Sequence, residues 1–225
     1  VHRGDDIISP MRDAGLTVAT LDYGQERYTQ EWVRLMGQTL GHNDKAQRMI
    51  QWRQQVVDAL SATTAKIPEA QQPRVLYLSH FNQSIQTFGS TSHNNVDFAL
   101  AGGVSLNRDL TGPRTLNIEQ ILVWDPDIIL LGNFEEGLSP ADVYRNPMLS
   151  EVTAVKNQRV YKLPIGGFIW DAPNQETPLY WQWLSMIFHP ETMKMPLREE
   201  IRLRYQQLYG YDVSDEQIDG ILQIE

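Results

Sequence analysis

Apolar positions recur at helical spacing through two adjoining stretches near the start of the chain. Trp32, Leu35, Met36 and Leu40 mark the first, and their steps of three and four residues predict a helix. Gly41 is a natural stop, because glycine reaches the left-handed conformation at a helix C-terminus without steric cost. Asn43 then stands where the next N-cap belongs. Ala46, Met49, Ile50, Arg53, Val56, Val57, Leu60, Thr64 and Ile67 continue one stripe that no Gly or Pro interrupts. At about 1.5 Å per residue this second helix runs roughly 35 Å, the width of a small domain. A rod of that length suits a connector between two α/β bodies, although an ordinary core helix of one domain has the same periodicity.

Either side of this pair the period shortens. Residues 1–28 read as a loop at Val1–Asp6, a helix over Ile8–Ala14, a stop at Gly15 and a β-rich run over Leu16–Leu21. That is the tail end of an α/β body and too short to bury a core alone. After a polar hinge at 68–73, Arg74–Ser79 is a continuous apolar run of the kind buried on both faces of a parallel sheet. The polar stretch His80–His93 predicts a long loop, the usual place for a ligand at the end of a parallel strand. Asn94–Ala101 reads as a helix closed by Gly102 and Gly103. Asn117–Gln120 is a capping pattern that opens a short helix through Trp124. Asp127–Gly132 and Arg159–Leu163 are further strands, separated by short helical pieces at Ser139–Tyr144 and Pro147–Leu149. A Gly-rich loop at 166–173 precedes a helix over Thr177–Phe188, with Leu179, Trp183 and Ile187 on one face, and the remainder is polar and helical. Strand and helix alternate, so the expected class is α/β with a mainly parallel sheet.

Composition narrows the function classes. The chain has 225 residues, 41% hydrophobic, with a formal net charge of -9, and no basic stripe exists to neutralise phosphates. Nucleic acid is therefore not an expected partner. There is no cysteine, which excludes disulfides, thiolate metal sites and a Cys nucleophile. No Gly-x-Ser-x-Gly elbow or phosphate-cradling glycine loop is present. The histidines (His2, His42, His80, His93, His189) form no i, i+4 pair with a third ligand. No catalytic residue, resident metal or cofactor is expected.

The order Asn117-Ile118-Glu119-Gln120-Ile121-Leu122, Asp125-Pro126-Asp127-Ile128-Ile129-Leu130 and Ala154-Val155-Lys156-Asn157-Gln158-Arg159-Val160-Tyr161 resembles periplasmic substrate-binding proteins of ABC importers. The class is the one for iron–siderophore, haem and cobalamin uptake. Phe188-His189-Pro190-Glu191 and the segment Tyr205–Glu216 are similar to the same family, so the resemblance covers essentially the whole chain. It implies two parallel-sheet α/β lobes joined by one long helix, with ligand in the cleft between them. The expected division is 1–28 as a remnant of the N-terminal lobe, 29–67 as the interlobe helix, 73–190 as the C-terminal α/β lobe and 191–225 as a helical tail. Relatives have lobes of similar size, so a first lobe reduced to 1–28 implies either a truncation or a naturally short member. The resemblance further implies a monomer, periplasmic or lipid-anchored outside the cytoplasmic membrane. Its partners would be a small metal complex (ferric siderophore or haem, with a metal oxyanion as a further choice) and an inner-membrane ABC permease. An enzyme of similar two-lobed build, such as a metal chelatase or nucleotide-sugar enzyme, is the alternative.

Position and resemblance together name candidate ligand contacts. His2 and Arg3 would offer donors to an anionic ligand, Arg being the better planar fork, unless they are a solvated terminal pair. His80 and Phe81 follow the first strand of the second lobe, where an aromatic ring stacks on a chelate or anchors the loop. Ser92 and His93 precede a helix and would present backbone N–H groups to an anion, or simply cap. Phe168 and Trp170 lie on the Gly-Gly loop, and two exposed aromatics there suit ligand contact better than core packing. Glu119 matches the second-lobe glutamate with which cobalamin and hydroxamate-siderophore binding proteins dock into arginine pockets of the permease; the alternative is that it only favours its own helix. Tyr180, Trp181, Trp183, Tyr205, Tyr209 and Tyr211 read as packing.

Overall fold

The computed structural model describes residues 5–20, 26–90 and 92–224. Helices α1 (Asp5–Asp13), α2 (Glu26–Thr39) and α3 (Asn43–Thr64) open the chain. Gly41 has φ +71°, the left-handed stop that its position predicts. The cap differs from expectation: Asn43 is already helical, and His42 occupies the N-cap without a side-chain bond. His42 N–H instead donates to the Gly37 carbonyl at 2.7 Å, closing a tight hairpin between α2 and α3. Gly37 is needed at that crossing, since a Cβ there would run into Ala46 Cβ. The β-rich run does not become a strand over its described part: Leu16–Thr20 pair with nothing in the sheet, and Leu16 is exposed. β propensity has no effect without a neighbouring edge to pair with.

Four strands, β1 (Arg74–Leu78), β3 (Val104–Ser105), β5 (Ile128–Leu131) and β6 (Val160–Lys162), form a parallel sheet in the order β3-β1-β5-β6. Val75 lies opposite Ile128 and Leu78 opposite Leu131, while Ile129 faces Val160. The continuous apolar runs follow from burial on both faces. Val75, Tyr77, Ile128 and Leu130 point into one core with Trp52, Val56 and Leu60 of α3 and with the later helices. Leu76, Leu78, Ile129 and Leu131 point into a second core. That second core takes Ile121 from α5 (Ile118–Trp124), Val143 from α6 (Pro140–Tyr144) and Ala154 from α7 (Thr153–Lys156).

The loop expected over 80–93 contains structure. β2 (Gln86–Thr87) pairs antiparallel with β4 (Arg114–Thr115), a ribbon over the ends of the sheet strands. Asn117 accepts from the Gln120 N–H at 2.8 Å, as its pattern predicts, and starts α5. α4 (Asn94–Leu100) is followed by Gly102 at φ +82°. α8 (Thr177–Phe188) is buried nearly all round, not on the single face of Leu179, Trp183 and Ile187. It shares one core with the sheet, with α3 and with α9 (Leu197–Tyr209), as its all-round apolar composition demands. α9 and α10 (Asp215–Leu222) bury Ile201, Tyr205, Leu208, Ile218, Ile221 and Leu222 in the same core, while Tyr209 and Tyr211 stay exposed. Among the described residues no helix is long and apolar enough to cross a membrane.

Candidate functional site

All four sheet strands end at one edge, so the segments after them converge there. In open parallel sheets this edge is where ligands bind. β1 delivers Ser79, His80 and Phe81; β5 delivers Gly132 to Glu135; β6 delivers Leu163 to Asp171.

A buried polar chain ties the last of these segments to the sheet. Tyr77 donates its hydroxyl to Asp171 Oδ2 at 2.9 Å, and Asn133 N–H donates to the same oxygen at 3.3 Å. His93 Nε2 meets the Asp171 carbonyl. Asp171 Oδ1 is buried without a hydrogen bond among the described residues. Burial raises the Asp171 carboxyl above its ordinary range, against the opposite pull of the Tyr77 and Asn133 bonds. Burial, reinforced by the facing carboxylate, pushes the Tyr77 hydroxyl well up. Gly132 is required beside them, because a Cβ would lie 2.9 Å from Asp171 Oδ2 and closer still to the Tyr77 hydroxyl. Lys162, half-buried, donates to the Gly132 carbonyl at 2.8 Å. Its burial lowers the ammonium, and Asp171, Glu135 and Asp142 draw it back up.

An aromatic series lies over this chain. Tyr77 stacks on Phe88 with centroids 6.0 Å apart, and Phe88 meets Phe134 edge-on at 5.7 Å. Phe134 is 45% exposed. Neither Phe88 nor Phe134 is singled out by the sequence pattern; the available signal for Phe134 is its place just past the strand that ends at Gly132. A groove of about 750 Å³ runs between Gly167 and Phe168, on the segment after β6, and Trp32, Met36, Lys45 and Met49 of α2 and α3. That volume falls in the range of about 300–1,000 Å³ common for small-molecule sites.

The candidate contacts meet different fates. Phe168 is 52% exposed and lines the groove. Trp170, expected beside it, is not exposed: it is 1% accessible and donates Nε1–H to Glu176 Oε2 at 2.6 Å. Phe81 is also in the core, and its backbone N–H, with that of Asn82, donates to Glu135 Oε2 at 2.6 and 3.2 Å. Its ring is therefore a loop anchor. His80 is half-buried, with Nδ1 at 3.2 Å from Ser79 Oγ. Ser92 Oγ accepts from Asn94 N–H at 3.3 Å, which favours capping over presentation of a free amide. His93 is turned to Asp171. Glu119 is exposed in the first turn of α5 and is not among the residues that line the groove. His2 and Arg3 lie outside the described residues. Among the described residues no group of three or more His, Asp and Glu side chains converges as a metal site.

The periplasmic binding protein family profile matches residues 11–165. Among solved structures, the chain is similar to a periplasmic solute binding protein from Veillonella parvula, with 30% identity and a TM-score of 0.88; 98% of this chain covers 68% of that one. It is similar to an ABC transporter solute binding protein from Sulfurospirillum deleyianum, with 21% identity and a TM-score of 0.84, over 98% of this chain and 69% of that one. The molybdate-bound periplasmic binding protein MolA of Haemophilus influenzae is 15% identical with a TM-score of 0.79, over 94% of this chain and 71% of that one. The last two likenesses carry the fold alone. A comparison with curated proteins finds no match. The family profile, the Veillonella relative and the convergent edge of a parallel sheet agree: the chain belongs to the periplasmic binding protein family, the solute-binding proteins of ABC transporters.

Proposed function

We propose that the chain is the capture component of an importer for an iron complex, a ferric siderophore or haem, held at the C-terminal edge of the sheet and handed to an inner-membrane permease. The observation that carries this reading is Phe168, half exposed two residues before the buried Trp170, beside a groove of small-molecule size. A ring held out in this way supplies flat apolar contact to a chelate or macrocycle at low entropic cost. Of the residues nominated from the sequence, Phe168 at the groove and His80 and His93 at the sheet edge stay proposed contacts, with Phe134 added. Ser92 contributes through its cap, and Trp170 and Phe81 act only as anchors. His2 and Arg3 remain proposed donors on sequence grounds. Residues 29–67, which include α3, are proposed as the interlobe helix and residues 73–190 as the C-terminal lobe, with 191–225 as a helical tail packed on it.

Glu119 is the proposed docking residue. Its carboxylate is exposed, and in a first helical turn it is favoured by the helix dipole, ready for a cationic pocket on the permease. The action is capture and release without chemical turnover, in the periplasm or tethered outside the cytoplasmic membrane, by a monomer. Quenching of tryptophan fluorescence by a ferric hydroxamate, ferric catecholate or haemin tests the ligand class. A saturable response to one of these is expected, weakened about tenfold in Phe168→Ala, a change of about 1.4 kcal/mol. A response to molybdate alone would replace the iron complex by an oxyanion, and silence toward all four would end the reading.

A further inference from the structure

Glu176 is fully buried, yet its carboxylate faces no lysine or arginine in any described hydrogen bond or ion pair; it is satisfied by neutral donors. Gly167 N–H reaches Oε1 at 2.9 Å, and the Tyr209 hydroxyl donates to the same oxygen. Trp170 Nε1–H reaches Oε2 at 2.6 Å, and the Tyr205 hydroxyl donates to it at 3.0 Å. Two donors thus come from the loop that carries Phe168 and two from α9. The fit admits no side chain: a Cβ at Gly166 would strike Glu176 Oε2 and the Tyr205 hydroxyl, and one at Gly167 would lie 2.7 Å from Oε1. Glu176 is itself fixed, its N–H donating to Asn174 Oδ1 at 2.6 Å and its carbonyl accepting from Leu179 N–H at 2.8 Å as α8 begins. Phe168 lies between the two loop residues that Glu176 holds.

We propose that Glu176 is the positioning residue for ligand capture: its carboxylate holds the Gly167 backbone N–H just before Phe168 and the Trp170 indole just after it, so that the ring is held out to the groove, and the α9 tyrosines hold the carboxylate in place. The proposal rests on the reading of Phe168 as a ligand contact. A buried carboxylate saturated by donors is a rigid support, and losing one acceptor leaves a buried donor unpaired.

Amide hydrogen exchange and the Trp170 indole N–H resonance, read on the full chain without ligand, test it. In Glu176→Gln, exchange at Gly167 and Phe168 should quicken by about tenfold while α8 and the strands keep wild-type protection, the scale of one lost buried hydrogen bond. The indole resonance should shift as its acceptor loses charge. Tyr209→Phe, at the exposed end of the cluster, should produce a smaller change at the same two amides and carries the test if Glu176→Gln fails to fold. Wild-type exchange at Gly167 and Phe168 in the variant that folds would overturn the proposal. Haemin and ferric hydroxamate titrations of the same proteins separate the two readings. Looser loop amides with no probe bound by the wild type would uphold the support role and refute the ligand class. A probe bound equally by wild type and a variant with loosened amides would refute positioning for capture.

Discussion

Phe168 and Trp170 sit two residues apart on one loop, and they are spent differently. Trp170 closes the core over Glu176, so Trp170→Ala should cost about 3–5 kcal/mol in urea denaturation. Phe168→Ala removes an exposed ring and should stay within about 0.5 kcal/mol of wild type in the same measurement. The Gly-Gly-aromatic pattern is legible in the sequence, but the fate of each ring is not. The partner that claims Trp170 comes from the start of the next helix, and the hydroxyls that complete the site come from α9. Asp171 offers a pH test. Because burial raises its carboxyl in the fold, its stabilising contribution is present when protonated, below the unfolded value, and is lost as pH rises through the folded one. Melting temperatures of Asp171→Asn should therefore gain on wild type as pH climbs from the ordinary carboxylate range toward neutrality.

At the level of elements, long periodic runs were readable and short ones were not. The stripe of α3, the two-faced burial of β1 and β5, and the cap at Asn117 all follow from residue pattern alone. The two-residue strands β2, β3 and β4 have no pattern to read, since their pairing is decided by where β1 and α5 bring the chain. Asp125 shows how elements are joined. It ends α5 at φ +40°, and its carboxylate accepts from Thr153 N–H at 2.7 Å and Thr153 Oγ1 at 2.9 Å, capping α7 from outside. The Thr153 backbone bond holds that carboxyl below its usual range. Asp125→Ala should cost about 1 kcal/mol or more at neutral pH, as cap loss is joined by strain at a positive φ. The difference from wild type should shrink as pH falls through the lowered carboxyl value, measured by chemical denaturation across an acid series.

At the scale of the whole molecule, the C-terminal segment is structural. Ile201, Tyr205, Leu208, Ile218, Ile221 and Leu222 share one core with the sheet and α3. Burial contributes about 1.5–3 kcal/mol for each large apolar side chain. Their sum is comparable to the margin of about 5–15 kcal/mol that holds a domain together. Removal of residues 191–225 should abolish the cooperative thermal transition seen by calorimetry. The polar composition of this segment reads as a tail, because its apolar positions are few and widely spaced; packing gives them their weight.

The little ribbon of β2 and β4 has a mechanical corollary. Its ladder, with the Leu116 N–H to Ile85 carbonyl bond at 2.8 Å, fastens the chain leaving β1 to the residues just ahead of Asn117. The strap leaves the segment that follows β1, residues 79–85, and the turn bearing Glu119 few independent degrees of freedom, so a displacement of one drags the other.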